Sequence, residues 1–331
     1  MRVRPGRGTR PRSRLRPSHD EAVDGRIVTV DRGRFTVRLD DPDSAGGDGT
    51  GDGATIVGAI KARELGRRGI AVGDRVALVG DTAGGPDALA RIVRLHPRTS
   101  VLRRTADDDD PIERVLVANA EQLVIVAALA EPATQPRLID RCLVAAYDAG
   151  LTPLLCLTKS DLASAEEVLA LYAALGVAHV VTRRDEDPAA LRARLDGRVS
   201  VLVGTSGVGK STLVNILVPG TDREVGVVNA VTGRGRHTSS SAIALELPDG
   251  GWVIDTPGVR SFGLAHVTPD RVLQAFTDLL PGIADCPRSC SHDEAECGLD
   301  AYVAAGHADL ARLTSLRRLL AVPQRPDETA D

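Results

Sequence analysis

Residues 201–213 read VLVGTSGVGKSTL. Gly204, Gly209, Lys210 and Ser211 fit the phosphate-loop spacing G-x-x-x-x-G-K-[ST] without a gap, with Thr205, Ser206, Gly207 and Val208 between the outer glycines. The apolar run Val201 to Val203 before it predicts a buried parallel strand. The periodic stretch Leu213 to Leu217 after it predicts a helix. Strand, loop and helix in that order separate a working phosphate loop from a chance match. The glycines let backbone N–H groups curl around phosphate oxygens, and the helix N-terminus adds partial positive charge. Lys210 is placed to reach the β- and γ-phosphates, with the Ser211 hydroxyl on Mg²⁺ and Thr212 beside it.

A nucleotide site needs more than this loop. Asp255-Thr-Pro-Gly258 follows the apolar run Trp252 to Ile254, with Asp255 placed 45 residues after Lys210. An Asp at that strand end is read as holding Mg²⁺ through water, and the Gly258 N–H as a γ-phosphate donor. Thr158, Lys159, Ser160 and Asp161 follow the apolar run Pro153 to Leu157. This is the N-K-x-D position of guanine binders, with Thr158 in place of Asn. The Asp161 carboxylate would accept from the guanine N1–H and 2-amino group, which adenine cannot supply. Thr182, after the run Val177 to Val181, takes the place of a second base-contacting loop. The base motif here precedes the phosphate loop. The order is that of a circularly permuted GTPase, which a doubly wound sheet with adjacent termini tolerates.

Between the phosphate loop and Asp255 lies TGRGRHTSSS, residues 232–241. A Gly/Arg segment ending in hydroxyls suits a switch around Mg²⁺. Thr238 is the predicted magnesium ligand beside Ser211 and Asp255, with Ser239 the alternate. Val259 follows Gly258, where many GTPases carry a water-orienting Gln, and Val cannot orient water. His237 is the candidate catalytic residue for that task.

The rest of the chain frames this centre. Its 331 residues exceed one core and imply several domains; 43% are hydrophobic, with no apolar run of 18. The reading is a globular protein without a membrane span, cytoplasmic and monomeric. Arg2, Arg4, Arg7, Arg10, Arg12, Arg14 and Arg16 form a basic arm without an acid. The remainder carries 34 basic against 45 acidic residues, a net charge of −11. A basic arm on an acidic body points to a polyanion such as RNA. Lys61, Lys159 and Lys210 are the only lysines. Two of them fall inside nucleotide motifs, where a planar guanidinium cannot stand in for a point charge.

Residues 22–98 alternate in about five short β-like runs separated by turns, which predicts a small barrel of the OB-fold type. From about residue 112 strands and helices alternate as in a doubly wound sheet. Cys142 and Cys156 sit in apolar stretches and are read as buried thiols. Cys286, Cys290, His292 and Cys297 lie within 12 residues and supply a Cys₃His set for one structural zinc. With four protein ligands that site has no open position for chemistry. The predicted division is an arm at 1–20, an OB-fold barrel at 21–103, a circularly permuted α/β GTPase at 104–267 and a helical zinc-binding domain at 268–331.

Barrel, permuted motif order, GTSGVGKS, GRGRHT, DTPGVRSFG and the Cys₃His cluster together resemble the RsgA (YjeQ) family of ribosome small-subunit-dependent GTPases. The resemblance runs from about residue 22 to 320. It implies binding of the small ribosomal subunit and its rRNA late in maturation, and GTP hydrolysis to GDP stimulated by the subunit. Departures are Thr158, the poor match at Thr182, a shorter metal spacing and the Arg-rich arm. Two other readings stay open. One is a metabolic P-loop kinase or ATPase, against which Asp161 speaks. The other is a nucleic-acid-binding P-loop protein in which hydrolysis is only a minor switch.

Overall fold

The computed structural model describes residues 19–40, 55–66, 68–85, 88–104, 114–219, 242–257, 264 and 266–322. The basic arm, His237, Thr238, Ser239, Gly258 and Val259 lie outside them.

The first five strands are β1 (Val23–Asp31), β2 (Arg34–Leu39), β3 (Ile56–Lys61), β4 (Arg75–Gly80) and β5 (Leu89–Leu95). Alternation along them turns Ile27, Val37, Val57, Val76, Leu78 and Ile92 into one fully buried core. Their order is β1-β2-β3-β5-β4, and β4 pairs back onto β1, so the strands close into a barrel. The β3–β5 pair is parallel and the others antiparallel. Asp31 pairs with Arg34 across a two-residue turn in which Arg32 and Gly33 both have positive φ, the geometry that matches strand twist in tight hairpins.

Two further strands, β6 (Val101–Arg104) and β7 (Arg114–Ala118), form an antiparallel hairpin that the sequence pattern does not predict. It straddles residues 103 and 104. The barrel docks on it tightly. A Cβ on Gly73 would stand 2.1 Å from the Ala118 carbonyl oxygen, so only glycine fits there. Buried Asp74 accepts two 2.7 Å hydrogen bonds from Arg98 beside this turn.

The α/β layer follows: β8 (Gln122–Ala128), α1 (Pro136–Asp148), β9 (Thr152–Thr158), α2 (Glu166–Tyr172), β10 (Ala178–Val181), α3 (Ala189–Leu195), β11 (Val199–Val203), α4 (Lys210–Leu217), β12 (Ile243–Glu246) and β13 (Trp252–Asp255). The strand order is β10-β9-β8-β11-β13-β12, parallel except for the antiparallel edge strand β12. Every residue of β8 is buried, as expected of a parallel strand covered on both faces. Cys142 and Cys156 are buried, and burial pushes both thiols up to about 12. The sheet does not stop at β12. Ile243 pairs with Thr29 of β1, so barrel and α/β layer share one continuous sheet.

The last elements are α5 (Pro269–Leu273), a 3-10 segment (Leu280–Asp285), α6 (Gly298–Ala304) and α7 (Leu310–Leu320). The sequence pattern predicts one helix over Pro269 to Leu280, but α5 ends at Leu273, and Leu280 opens the 3-10 segment with Pro281 as its second residue. The predicted helical stretch from Ala301 to Leu320 breaks at Gly306 (φ +80°), and Asp309 caps α7 by accepting from the Ala311 N–H at 2.8 Å. These elements pack on α1. Val272, Phe276, Leu313, Leu316 and Leu319 are in the same core cluster as Ile139, Leu143 and Leu123. Val208, Leu213 and Val214 occupy a second cluster with α3 and the other sheet residues. Among the described residues no helix is long and apolar enough to cross a membrane.

Candidate functional site

The phosphate-loop stretch connects β11 to α4 as the spacing predicts. Gly207 and Gly209 take φ of +84° and +92°, which side-chain-bearing residues rarely adopt. A Cβ on Gly204 would meet the Val126 carbonyl oxygen at 2.6 Å, so this glycine is required by close approach of β8. Val208 is fully buried and pins the loop to the core. Thr205 is half-buried, and Ser206, Ser211 and Thr212 are exposed at the opening. Lys210 begins α4 and is 7% exposed. Its Nζ donates to Asp255 Oδ1 at 2.6 Å and to the Thr256 carbonyl oxygen. The Thr256 hydroxyl donates to the Leu202 carbonyl oxygen at 2.8 Å. The end of β13 is therefore stitched to β11 just before the loop.

The base motif sits two strands away. Thr158 ends β9, is buried, and donates its hydroxyl to the Val208 carbonyl oxygen at 2.6 Å. This bond ties the β9 end to the phosphate loop. Lys159 has φ +62°, and its amine donates to the Glu131 carbonyl oxygen in the loop after β8. Pro132 of that loop comes within 3.8 Å of the Gly207 Cβ position. Glu131 and Pro132 thus border both motifs, and no motif in the sequence marked them. The Thr182 carbonyl oxygen accepts from the Ser160 N–H at 3.3 Å, so the two candidate base loops are joined. Thr182 itself is buried and Asp161 is exposed. Thr158–Asp161, Thr182, Gly204–Thr212 and Asp255 all gather at the carboxyl ends of the parallel strands, where open α/β sheets bind ligands.

The second candidate centre lies between the 3-10 segment and α7. The ligand atoms of Cys286, Cys290, His292 and Cys297 are all within 4.8 Å of one another and can hold a metal ion. Cys286 Sγ stands 3.7 Å from His292 Nδ1 and 3.9 Å from Cys297 Sγ, and the third edge is 3.8 Å. Ser289 and His292 both have positive φ, which turns the chain tightly enough for ligands two residues apart to converge. Cys297 is the residue before α6. Arg317 of α7 donates to the His292 carbonyl oxygen at 2.6 Å and makes a two-pronged pair with Asp300, at 2.9 and 2.6 Å. The metal loop is thereby clamped to the helix behind it.

A family model described as RsgA GTPase matches residues 95–265. The chain belongs to the RsgA GTPase family. The matched span covers the hairpin, the permuted base motif, the phosphate loop and Asp255. Relatives include a small ribosomal subunit biogenesis GTPase RsgA of Ectopseudomonas mendocina (strain ymp), 42% identical over 241 residues, or 70% of this chain and 69% of that protein. The namesake of Gemmatimonas aurantiaca is 38% identical over 273 residues, 80% of this chain and 88% of its own. Among solved structures, YjeQ from Thermotoga maritima aligns with a TM-score of 0.66 at 24% identity, covering 92% of this chain and 99% of its own. YloQ, described as a circularly permuted GTPase, aligns at 0.63 and 19% identity over 94% and 98%. At those identities the likeness is one of fold. It extends past the matched span to nearly the whole RsgA-family chain, and it agrees with the motif order read from the sequence.

Proposed function

We propose that this RsgA-family chain is a GTP hydrolase that binds the small ribosomal subunit and its rRNA, acts in late maturation of the subunit, and is stimulated by it. The observation that carries the reading is convergence. Base motif, phosphate loop and Asp255, far apart and in permuted order along the chain, meet at one end of the sheet. GTP would be held through Asp161, Lys159, Ser160 and Thr182 at the base, and through Gly204–Thr212 at the phosphates. Lys210 swings from Asp255 to the β- and γ-phosphates. Ser211, Thr238 and, through water, Asp255 offer hard oxygen donors of the kind Mg²⁺ takes. Magnesium, when bound, neutralises charge developing on the phosphate oxygens. The Gly258 N–H would donate to the γ-phosphate and His237 would orient the water, both residues lying outside the described ones. In-line attack by that water yields GDP and inorganic phosphate.

The cysteine cluster is proposed to hold one structural zinc. A tetrahedral ion with Zn–S bonds of about 2.3 Å sets ligand edges near 3.8 Å; the three edges among Cys286, His292 and Cys297 run from 3.7 to 3.9 Å, and all four ligand atoms, that of Cys290 included, lie within 4.8 Å of one another. Three thiolates and an imidazole also favour zinc over hard cations. The barrel's closed five-strand order supports an OB-fold at 21–103, a module suited to nucleic acid. The GTPase unit is placed at 104–267, sharing the hairpin with the barrel, and the zinc unit at 268–331. The protein is proposed to act in the cytoplasm as a monomer.

The deciding experiment is GTP hydrolysis with and without purified small subunits. Stimulation is expected, and equal turnover in both arms would sink the ribosomal reading. Titration should show GTP bound in preference to ATP; for Asp161→Asn that preference should drop by about 10²-fold, because a charge-assisted pair of guanine contacts is worth roughly 1.5–3 kcal/mol. Thr158→Ala leaves the Val208 carbonyl oxygen without its buried donor, at a cost of about 1–3 kcal/mol. Its expected effect is a five- to hundredfold loss of nucleotide affinity, read by titration with GDP. Thr158→Ser, which keeps the hydroxyl, should stay close to the parent.

A further inference from the structure

A lateral row of four residues crosses the sheet on the barrel side of the phosphate loop. Thr29 of β1 pairs with Ile243 of β12, Ile243 pairs with Asp255 of β13, and Asp255 pairs with Leu202 of β11. One lateral row therefore runs from the barrel, through the edge strand, to the carboxylate beside Lys210 and the strand that feeds the phosphate loop. Three residues along β13 a second connection crosses the same junction. Trp252 pairs with Glu246, and Glu246 Oε2 is 2.6 Å from Arg38 Nε of β2. The guanidinium carbons of Arg26 and Arg38, themselves paired across β1 and β2, lie 5.3 and 5.7 Å from the centre of the Trp252 ring. Trp252 is the only tryptophan of the chain.

We propose that Arg26, Arg38, Glu246 and Trp252 are positioning residues for the hydrolytic site: the barrel grips β13 at Trp252 and so sets where Asp255, at the other end of this four-residue strand, stands relative to Lys210. A strand of four residues is short and stiff. Holding its first residue from outside and its last by the β12 row leaves little freedom to slide or twist. A barrel displaced by a bound partner moves β1 and β2, and with them Trp252 and Asp255. Arg26 and Arg38 sit in the barrel, outside the family's nucleotide motifs. Their effect is expected on the magnesium step and not on guanine recognition, because Asp161 and Thr182 lie at the far strands β9 and β10.

The inference rests on Asp255 being a magnesium-side residue, so the test carries a control for that reading. Hydrolysis by the full-length protein is measured at saturating GTP while Mg²⁺ is titrated, and GDP affinity is measured without Mg²⁺. Arg38→Ala removes an ion pair and a cation–π contact, and is expected to raise the Mg²⁺ concentration for half-maximal rate by about five- to tenfold, with GDP affinity unchanged. Trp252 emission should respond to Mg²⁺-GTP in the parent and lose most of that response in Arg38→Ala, and Arg38→Lys should recover part of both. An unchanged Mg²⁺ requirement together with an unchanged Trp252 response overturns the proposal. Should Arg38→Ala not fold, Glu246→Gln, which alters only a partly exposed carboxylate, takes its place with the same two readouts. An Asp255→Asn protein with the parent's Mg²⁺ requirement would instead remove the underlying magnesium reading, which separates the two failures.

Discussion

The Lys210→Ala protein is expected to lose about 10²- to 10³-fold in GTP turnover, with or without small subunits. A positioned charge aimed at phosphate oxygens in a water-poor site is worth roughly 3–4 kcal/mol or more to a phosphoryl-transfer transition state. Lys210→Arg is expected to fare little better, since a planar fork cannot occupy the place of a compact ammonium inside the loop. The substitution also has a cost without nucleotide. Lys210 and Asp255 are 7% and 0% exposed and 2.6 Å apart. Removing one partner of such a buried pair costs about 3–5 kcal/mol in the folded state. Urea unfolding of the nucleotide-free protein should therefore show a lower midpoint, while saturating GDP restores less of it than in the parent. Turnover within threefold of the parent would remove Lys210 from the phosphate site.

The second large effect concerns the metal. Elemental analysis is expected to find one zinc per chain, and none in Cys297→Ser or His292→Ala. Apparent zinc-binding free energies of about 10–16 kcal/mol exceed or match the usual net stability of a domain, about 5–15 kcal/mol. Losing the ion should therefore unfold the segment from Cys286 to Cys297 and release Arg317 from the His292 carbonyl oxygen. The damage is not expected to stay local. Arg312 donates to the Leu175 carbonyl oxygen at 2.8 Å and lies over the Phe276 ring, and Arg318 lies over Tyr172. With Leu313, Leu316 and Leu319 in one core with α1, heat should melt the metal unit and the α/β layer in a single, lowered transition. A metal-free protein with the parent's melting temperature would rule out a structural role for the cluster.

Local features carried far in this chain. GTSGVGKS needs its glycines at positive φ or at close approach, and Gly204, Gly207 and Gly209 meet those needs one by one. The four candidate metal ligands were legible because they are close in sequence and chemically unmistakable. The strands of the α/β layer were legible because buried parallel strands are continuous apolar runs, as β8 is. The β6–β7 hairpin was not, since its strands are short, rich in arginine and separated by an acidic stretch. The contact that Thr158 makes was not legible either. Its partner, Val208, is 50 residues away, and no spacing rule predicts which of two nearby acceptors a hydroxyl will take.

The chemistry this protein carries is written in short stretches of its chain: a phosphate loop, a guanine motif placed before it, an Asp after it and a Cys₃His set that can hold a metal. Each is a cluster of residues within a dozen positions, and side-chain chemistry at that range follows from composition and spacing. What these clusters lean on emerges from the folded chain. Thr158 braces the phosphate loop, the C-terminal helices share the core of α1, and the barrel joins the sheet through Thr29 and Ile243 beside Asp255. Edge pairing and core sharing depend on which surfaces remain uncovered after every element has folded, and that is a property of the whole chain.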